Sequence, residues 1–390
     1  MNLDPRLLAT ALLSGLLLGA EPAQAFPPMI AKKILERPEM FEFAPFGEIA
    51  EAIIRGAQGI EELVVQADDP PVALNVLVLK PRDYGFKVGG GPGKAEDGSG
   101  GAFGFNVTTD TDTEWFQEIH EQLPERLQRA IKDEIEVEPE VAEILAVMEL
   151  YARTGGKEVR AKGRTVFLLN GFAVSNRASL GWALVLAKQG YQVVAPDLRG
   201  FGRSGGRGPT YGKYESEDLG QLLTVLQEQG RIGEDEPVGV VGVSYGAGVA
   251  ALWTASDPRI GGTVLFAPYA QADETIASAA DILKGQLDFP FPIGPEAVRK
   301  GTELAARRLK IDWRQVAPAS AVEAIPHPIL FVTSTKDEII PPAVVEGLHQ
   351  SAPIGSTLRI LEGLPHELVG LYLDELEAEV LAYLEDTLRR

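Results

Sequence analysis

Residues 238–250 read Val238-Gly239-Val240-Val241-Gly242-Val243-Ser244-Tyr245-Gly246-Ala247-Gly248-Val249-Ala250. Val238–Val241 is a β-branched run with the composition of a buried strand, and Ala247–Ala255 is a run of small residues suited to a closely packed helix. Between them lies Gly242-Val243-Ser244-Tyr245-Gly246, a G-x-S-x-G pentapeptide. Alone, the pentapeptide carries little information. Set between a strand and a helix, it describes a turn so tight that the serine takes a strained backbone and both flanking positions must lack bulk. Such a turn presents a hydroxyl nucleophile at the end of a strand.

The same alternation continues on both sides. From Gly163 onward, short apolar runs stand at Thr165–Leu169, Gln192–Ala195, Val238–Val243, Gly262–Phe266, Pro328–Val332 and Thr357–Leu361. Amphipathic segments such as Ala178–Gln189 and Glu217–Gln229 separate them. Continuous apolar strands alternating with helices predict an α/β fold, a mostly parallel sheet with helices on both faces. Leu368–Leu388 reads as one long closing helix. Gln271–Ala324 interrupts the pattern with helical stretches at Thr275–Leu287 and Pro295–Leu309, which suits an inserted helical cap.

A serine nucleophile needs a base, and the base needs an acid to orient it. In the chain order that follows such a serine, the acid ends a later strand and the histidine follows the next one. Pro328–Val332 leads into Thr333-Ser334-Thr335-Lys336-Asp337, and Thr357–Leu361 leads into Gly363-Leu364-Pro365-His366. The chain has four histidines, at 120, 327, 349 and 366. Ser244, His366 and Asp337 are therefore the expected nucleophile, base and acid; the adjacent Glu338 is less well placed after its strand. The developing oxyanion needs two backbone donors. The N–H of Tyr245 is one, and the loop Asn170-Gly171-Phe172-Ala173 offers the N–H of Phe172 as the other.

These residues resemble those of the α/β-hydrolases, and more narrowly the branch containing serine aminopeptidase-like and lysophospholipase-like proteins. Besides Asn170-Gly171-Phe172, GVSYG at 242–246, Asp337 and His366, the likeness rests on Gly190-Tyr191-Gln192-Val193-Val194-Ala195-Pro196-Asp197-Leu198-Arg199-Gly200-Phe201-Gly202-Arg203-Ser204. That run is similar to the family's G-Y-x-V-x-x-x-D-x-R-G-x-G-x-S stretch. The likeness spans residues 163–390, the expected catalytic domain, with the cap at 271–324. Most members carry His where this chain has Asn170, a residue that is not catalytic in them. The resemblance implies hydrolysis of a small-molecule ester or amide with no cofactor. Ester and amide are left open, because both acyl transfers need the same groups. A non-catalytic binding protein that kept the fold is the reading from another class, and the intact Ser244, Asp337 and His366 speak against it.

Residues 26–162 read as an N-terminal extension. Glu61–Ala67 and Val72–Lys80 carry strand-like runs around the turn signal Asp68-Asp69-Pro70-Pro71. Gly85–Gly101 is glycine-dense and reads as a flexible surface loop. It fails as a phosphate-binding loop, with Val88 where a glycine is required and Ala95 in place of Ser/Thr. Thr111–Leu150 holds twelve acidic against three basic residues, and its apolar residues fall at helical spacing, which predicts two amphipathic helices with acidic outer faces. Before all of this, the apolar run Leu7–Ala20 followed by Ala23-Gln24-Ala25 reads as a signal peptide over 1–25, hence an exported, periplasmic or secreted protein without a stable membrane anchor after cleavage.

Composition narrows the rest. With 390 residues, a net charge of −20 and no Cys, the chain excludes disulfides, iron–sulfur clusters and a cysteine nucleophile, and it argues against a nucleic-acid partner. The histidines show no metal-ligand spacing. Gly200–Gly205 and Gly246–Ala251 imitate dinucleotide fingerprints, but Gly206, Gly208, Pro209 and Gly212 keep the first from opening a helix, and no ribose-binding acid follows the second. Arg199, Arg203, Arg207 and Lys213 form a local basic cluster whose expected role is to neutralise nearby carboxylates. Nothing in the chain speaks to oligomeric state.

Overall fold

The computed structural model describes residues 27–38, 50, 51, 54, 57–84, 88–93, 102–107, 157–282, 295–371 and 373–389. The expected signal segment at 1–25 and the acidic helices at 111–150 lie outside them. Among the described residues, eight strands form one sheet: β1 (Ile60–Asp68), β2 (Pro71–Leu79), β3 (Thr165–Leu169), β4 (Gln192–Pro196), β5 (Val238–Val243), β6 (Ile260–Phe266), β7 (Ile329–Ser334) and β8 (Thr357–Leu361). Their spatial order is β1-β2-β4-β3-β5-β6-β7-β8. β2 pairs antiparallel with both β1 and β4; from β4 to β8 every neighbouring pair is parallel.

Parallel strands covered on both faces read as unbroken apolar runs. Every residue of β3 and of β7 is buried. Successive side chains of β3 point to opposite faces. Phe167 joins one core with Leu222, Val249 and Trp253, whereas Val166 and Leu168 join the other with Trp182, Leu376, Val380 and Leu384. The helices follow from that partition. After α1 (Pro27–Leu35), α2 (Leu180–Lys188) covers the second face, α3 (Lys213–Glu228) and α4 (Tyr245–Ser256) the first. Next come α5 (Ala272–Ile282) and α6 (Pro295–Leu309), both within the stretch expected to form a cap, α7 (Pro342–Ser351), and α8 (Leu373–Thr387), which returns to the second face.

The strand order reverses direction at β3: the chain leaves β3 for β4 on one side and comes back as β5 on the other. At such a switch point the loops leaving the carboxyl ends of the two central strands diverge and open a crevice. Here those loops begin at Asn170 and Ser244.

Three features differ from the sequence-based expectation. β1 and β2 are strands of the main sheet, so the sheet begins about a hundred residues before the expected boundary at 163. Val88–Gly93 pairs antiparallel with Ala102–Val107, inside and beyond the stretch read as a loop. Glycine is a poor strand former, yet a ladder of backbone hydrogen bonds needs no side chains. The expected closing helix is broken: His366–Val369 forms a single turn, and α8 starts at Leu373. The break falls at Gly370, whose carbonyl accepts from Trp182 Nε1 at 2.9 Å. A Cβ on Gly370 would stand 2.5 Å from Val243 Cγ1, so close packing on the central strand ends the turn there.

α1 packs on α6. Ile30, Ala31 and Ile34 are buried, and a Cβ on Gly301 of α6 would meet Ile30 Cγ2 at 2.5 Å. Tyr211 Oη donates to the carbonyl of Ile34 at 3.0 Å, tying α1 to the loop before α3.

Candidate active site

The turn between β5 and α4 has the geometry its glycines predict. Ser244 sits at φ 52° and ψ −112°, a conformation that L residues avoid and that costs roughly 1–3 kcal/mol. Its own N–H donates to the carbonyl of Phe266 at 2.7 Å, fixing the turn to β6. A Cβ on Gly242 would lie 2.5 Å from the carbonyl oxygen of Gly246. One on Gly246 would press into the carbonyl oxygens of Leu169 and Asn170. Both glycines are therefore demanded by backbone crossing backbone.

The loops after β7 and β8 converge on the serine. His366 Nε2 stands 2.8 Å from Ser244 Oγ, and His366 Nδ1 stands 2.8 Å from Asp337 Oδ2. The Asp337 side chain is fully buried and that of His366 is 11% exposed, so water reaches the imidazole but not the carboxylate. The other carboxylate oxygen, Oδ1, accepts from the backbone N–H groups of Ile339 at 3.1 Å and Ile340 at 2.7 Å. With both oxygens engaged, the carboxylate plane is fixed, and with it the ring it faces. Ser334, at the end of β7, braces the two loops against each other by accepting from Leu364 N at 2.9 Å. Glu338 makes no part of this chain of contacts.

The loop after β3 runs beside the serine. A Cβ on Gly171 would stand 3.6 Å from Ser244 Cβ. Phe172 is 43% exposed, and its ring meets those of Phe201 and Tyr245 edge-on at 5.6 and 5.8 Å. Tyr245 is the first residue of α4, so its N–H has no acceptor within the helix. Asn170 replaces a histidine at the mouth of this loop; it is buried, and its Oδ1 accepts from Ser179 Oγ.

The stretch 197–204 builds the wall behind. Asp197 is buried and accepts from the N–H groups of Asn176 and Arg203, each at 2.7 Å. Burial pushes its carboxyl above the usual range, and those N–H groups pull it back. Ser204 Oγ donates to the Asp197 carbonyl at 2.6 Å and accepts from Asn75 N at 2.8 Å, joining this stretch to β2. Two of the four residues of the basic cluster pair with carboxylates. Arg199 grips Asp218 through two nitrogens at 2.8 and 2.5 Å, and Arg203 pairs with Glu62 and Glu51 at 3.0 and 2.7 Å. Lys213 Nζ donates instead to the Lys310 carbonyl at 3.2 Å. Gly200–Gly205 folds as a turn and the next helix starts only at Lys213, so it does not have the strand–helix form of a dinucleotide site.

The remaining histidines of the described residues lie elsewhere: His327 beside Thr263 Oγ1 at 3.0 Å and His349 beside the Ser356 carbonyl at 3.0 Å. His120 lies outside the described residues. Among the described residues no group of three His, Asp or Glu side chains could hold a metal ion, and no helix is long and apolar enough to cross a membrane. One member of the site's surroundings escaped the sequence reading: Glu215, fully buried on α3, whose Oε1 accepts from Tyr245 Oη at 2.8 Å. The only hint of it is an acidic residue three positions after Gly212 at the start of a helix, a pattern that usually means no more than capping.

Comparison with known proteins agrees with this architecture. The family model for serine aminopeptidase, S33, matches residues 160–310. An uncharacterized protein of Bacillus subtilis, YqkD, is 27% identical over 212 residues, which are 52% of this chain and 65% of that protein, so the chain spans under two thirds of its relative's length. Among solved structures, an esterase of Pyrococcus furiosus, Pf2001, is 17% identical, with a TM-score of 0.51 and 90% and 99% of the two chains covered. A second structure of the same esterase gives 16%, 0.52, 91% and 98%. The sheet order, the strained serine turn and these likenesses agree on one architecture: the chain has an α/β-hydrolase fold, and its residues 160–310 match the serine aminopeptidase, S33 family model.

Proposed function

We propose that this protein is an exported serine hydrolase that cleaves carboxylic esters through an acyl-enzyme on Ser244. The reading is carried by the two 2.8 Å contacts that run from Ser244 through His366 to Asp337, with the serine in a strained turn. In the first half-reaction Ser244 Oγ bonds to the ester carbonyl carbon while His366 Nε2 takes the hydroxyl proton. The carbonyl π electrons move to oxygen, where the N–H groups of Tyr245 and Phe172 receive the charge. Collapse breaks the bond to the alcohol oxygen, which leaves with the proton from His366. In the second half, water attacks the acyl carbon and gives its proton to His366. The Ser244–acyl bond then breaks, the serine recovers that proton, and the acid is released. Asp337 keeps Nδ1–H directed inward and stabilises the imidazolium. Export rests on Leu7–Ala20 and the Ala23–Ala25 pattern alone.

A fluorophosphonate probe tests the chemistry. It should label the wild-type protein and fail on Ser244→Ala. Labelling that survives the substitution, or none at all, would sink the proposal. The serine aminopeptidase description of the matching family model favours a second reading, amide cleavage by the same groups. Turnover of aminoacyl p-nitroanilides above that of p-nitrophenyl esters would select it.

A further inference from the structure

Glu215 is completely buried, at 0% exposure, and it faces four hydrogen-bond donors. Oε1 accepts from Thr210 N at 2.6 Å and Tyr245 Oη at 2.8 Å. Oε2 accepts from Gly212 N at 2.9 Å and from Thr210 Oγ1. The bond to Gly212 caps α3, and a solvent-exposed glutamate could supply that cap without the several kcal/mol that burying a carboxylate costs. Capping therefore leaves both the burial and the Tyr245 bond unexplained.

Tyr245 is the lever. It follows the nucleophile in the chain, its N–H starts α4, and its hydroxyl also accepts from Tyr211 N at 3.1 Å. Its ring is wedged against Phe201 at 5.1 Å and against Phe172 at 5.8 Å. One side chain thus links the two residues whose N–H groups are the oxyanion donors. A strained residue keeps its conformation only where its surroundings over-determine it. Ser244 is held on one side by its bond to Phe266 and on the other by Tyr245, whose far end is fixed by Glu215.

We infer that Glu215 is a positioning residue for acyl transfer: by gripping the Tyr245 phenol it holds the first turn of α4, and so the Tyr245 N–H, in line with the oxyanion. The inference rests on the reaction proposed for Ser244. A donor displaced by an ångström loses much of its effect, so the loss should fall on kcat and spare KM.

The experiment counts reactive serines by fluorophosphonate titration and expresses kcat per titrated site for an ester. Glu215→Gln turns an amide donor toward donors. It should lower kcat per site roughly 10- to 100-fold and weaken binding of a trifluoromethyl ketone by a similar factor, with KM nearly unchanged. Glu215→Asp should recover part of the loss. Tyr245→Phe removes only the hydroxyl and should act in the same direction, and the double variant Glu215→Gln/Tyr245→Phe should cost no more than the worse single one. If Glu215 serves α3 alone, the titratable fraction and the melting temperature fall while kcat per site stays at the wild-type value, which overturns the inference. Additive losses overturn it as well. Should Glu215→Gln fail to fold, an unchanged kcat per site in Tyr245→Phe overturns it unaided. A wild-type protein that the probe never labels removes the Ser244 reading and this inference together, whereas a labelled wild type with indifferent variants removes the inference only.

Discussion

His366 Nε2 and Ser244 Oγ lie 2.8 Å apart although 122 positions separate them in the chain. The distance suits proton transfer from hydroxyl to imidazole. It exists because β5 and the loop after β8 deliver their residues to the same end of the sheet. On the proposed mechanism, His366→Ala removes the base and Asp337→Asn leaves a ring in the wrong tautomer. Each should lower ester kcat by roughly 10⁴-fold or more, with the melting temperature shifted by only a few degrees. The check is p-nitrophenyl ester turnover beside thermal unfolding. Near-native activity in Asp337→Asn would transfer the acid's role to another carboxylate, Glu338 being the first to try.

Gly246→Ala tests the turn rather than the chemistry. The added methyl would enter the space of the Leu169 and Asn170 carbonyl oxygens, so β3 and α4 must separate. Backbone atoms on both sides leave no flexible side chain to move aside. The expected result is a loss of more than about 3 kcal/mol of stability, or no folded protein at all. Gly347, whose added Cβ would meet nothing within 4 Å, is the control: Gly347→Ala should unfold at or above the wild-type temperature. Denaturant titration of the two variants decides it.

How much of this was legible in the sequence depends on how local each signal is. The strand before Ser244, the turn glycines, and the placement of Asp337 and His366 after their strands are readable because each is written in five to ten neighbouring residues. β1 and β2 were legible as strands but not as members of the main sheet, since β2 finds its partner β4 more than a hundred residues later. The break at Gly370 depends on the proximity of Val243, which no local pattern encodes. Glu215 was invisible for the same reason: its significance lies in Tyr245, 30 positions away.

Glu385 makes a pH prediction with a definite sign. The hydrogen bond from Lys162, at 2.7 Å, and the neighbouring Arg164 hold its carboxyl down at about 2. A carboxyl that is more acidic in the folded state adds stability above its unfolded value near 4.5, and that stability is lost as pH falls toward 2. The side chain is 35% exposed, so water and salt screen the pair and its worth is under about 1 kcal/mol. Glu385→Gln should therefore melt slightly below the wild type at pH 6, and the gap should shrink on acidification and close as pH falls through about 2. A gap that widens on acidification would contradict the assignment.

Arg199 and Asp218 supply the sharpest stability test. Both side chains are nearly inaccessible, at 8% and 2% exposure, and the guanidinium also donates to the Pro70 carbonyl at 2.9 Å. A buried pair of this kind adds little net stability, because desolvation offsets the attraction; removing one partner strands the other charge away from water. Arg199→Met should therefore cost about 3–5 kcal/mol, as should Asp218→Leu. The double variant Arg199→Met/Asp218→Leu strands no charge, so it should recover most of that loss, apart from the unpaired Pro70 carbonyl. The loss also has a direction in space. Arg199 lies between Asp197 and Phe201, so the single variant should loosen the wall behind Tyr245, and ester kcat should fall along with stability. Urea unfolding of the two singles and the double forms the cycle. If the double variant is as unstable as the sum of the singles, the pair is not coupled and the description of this wall is wrong.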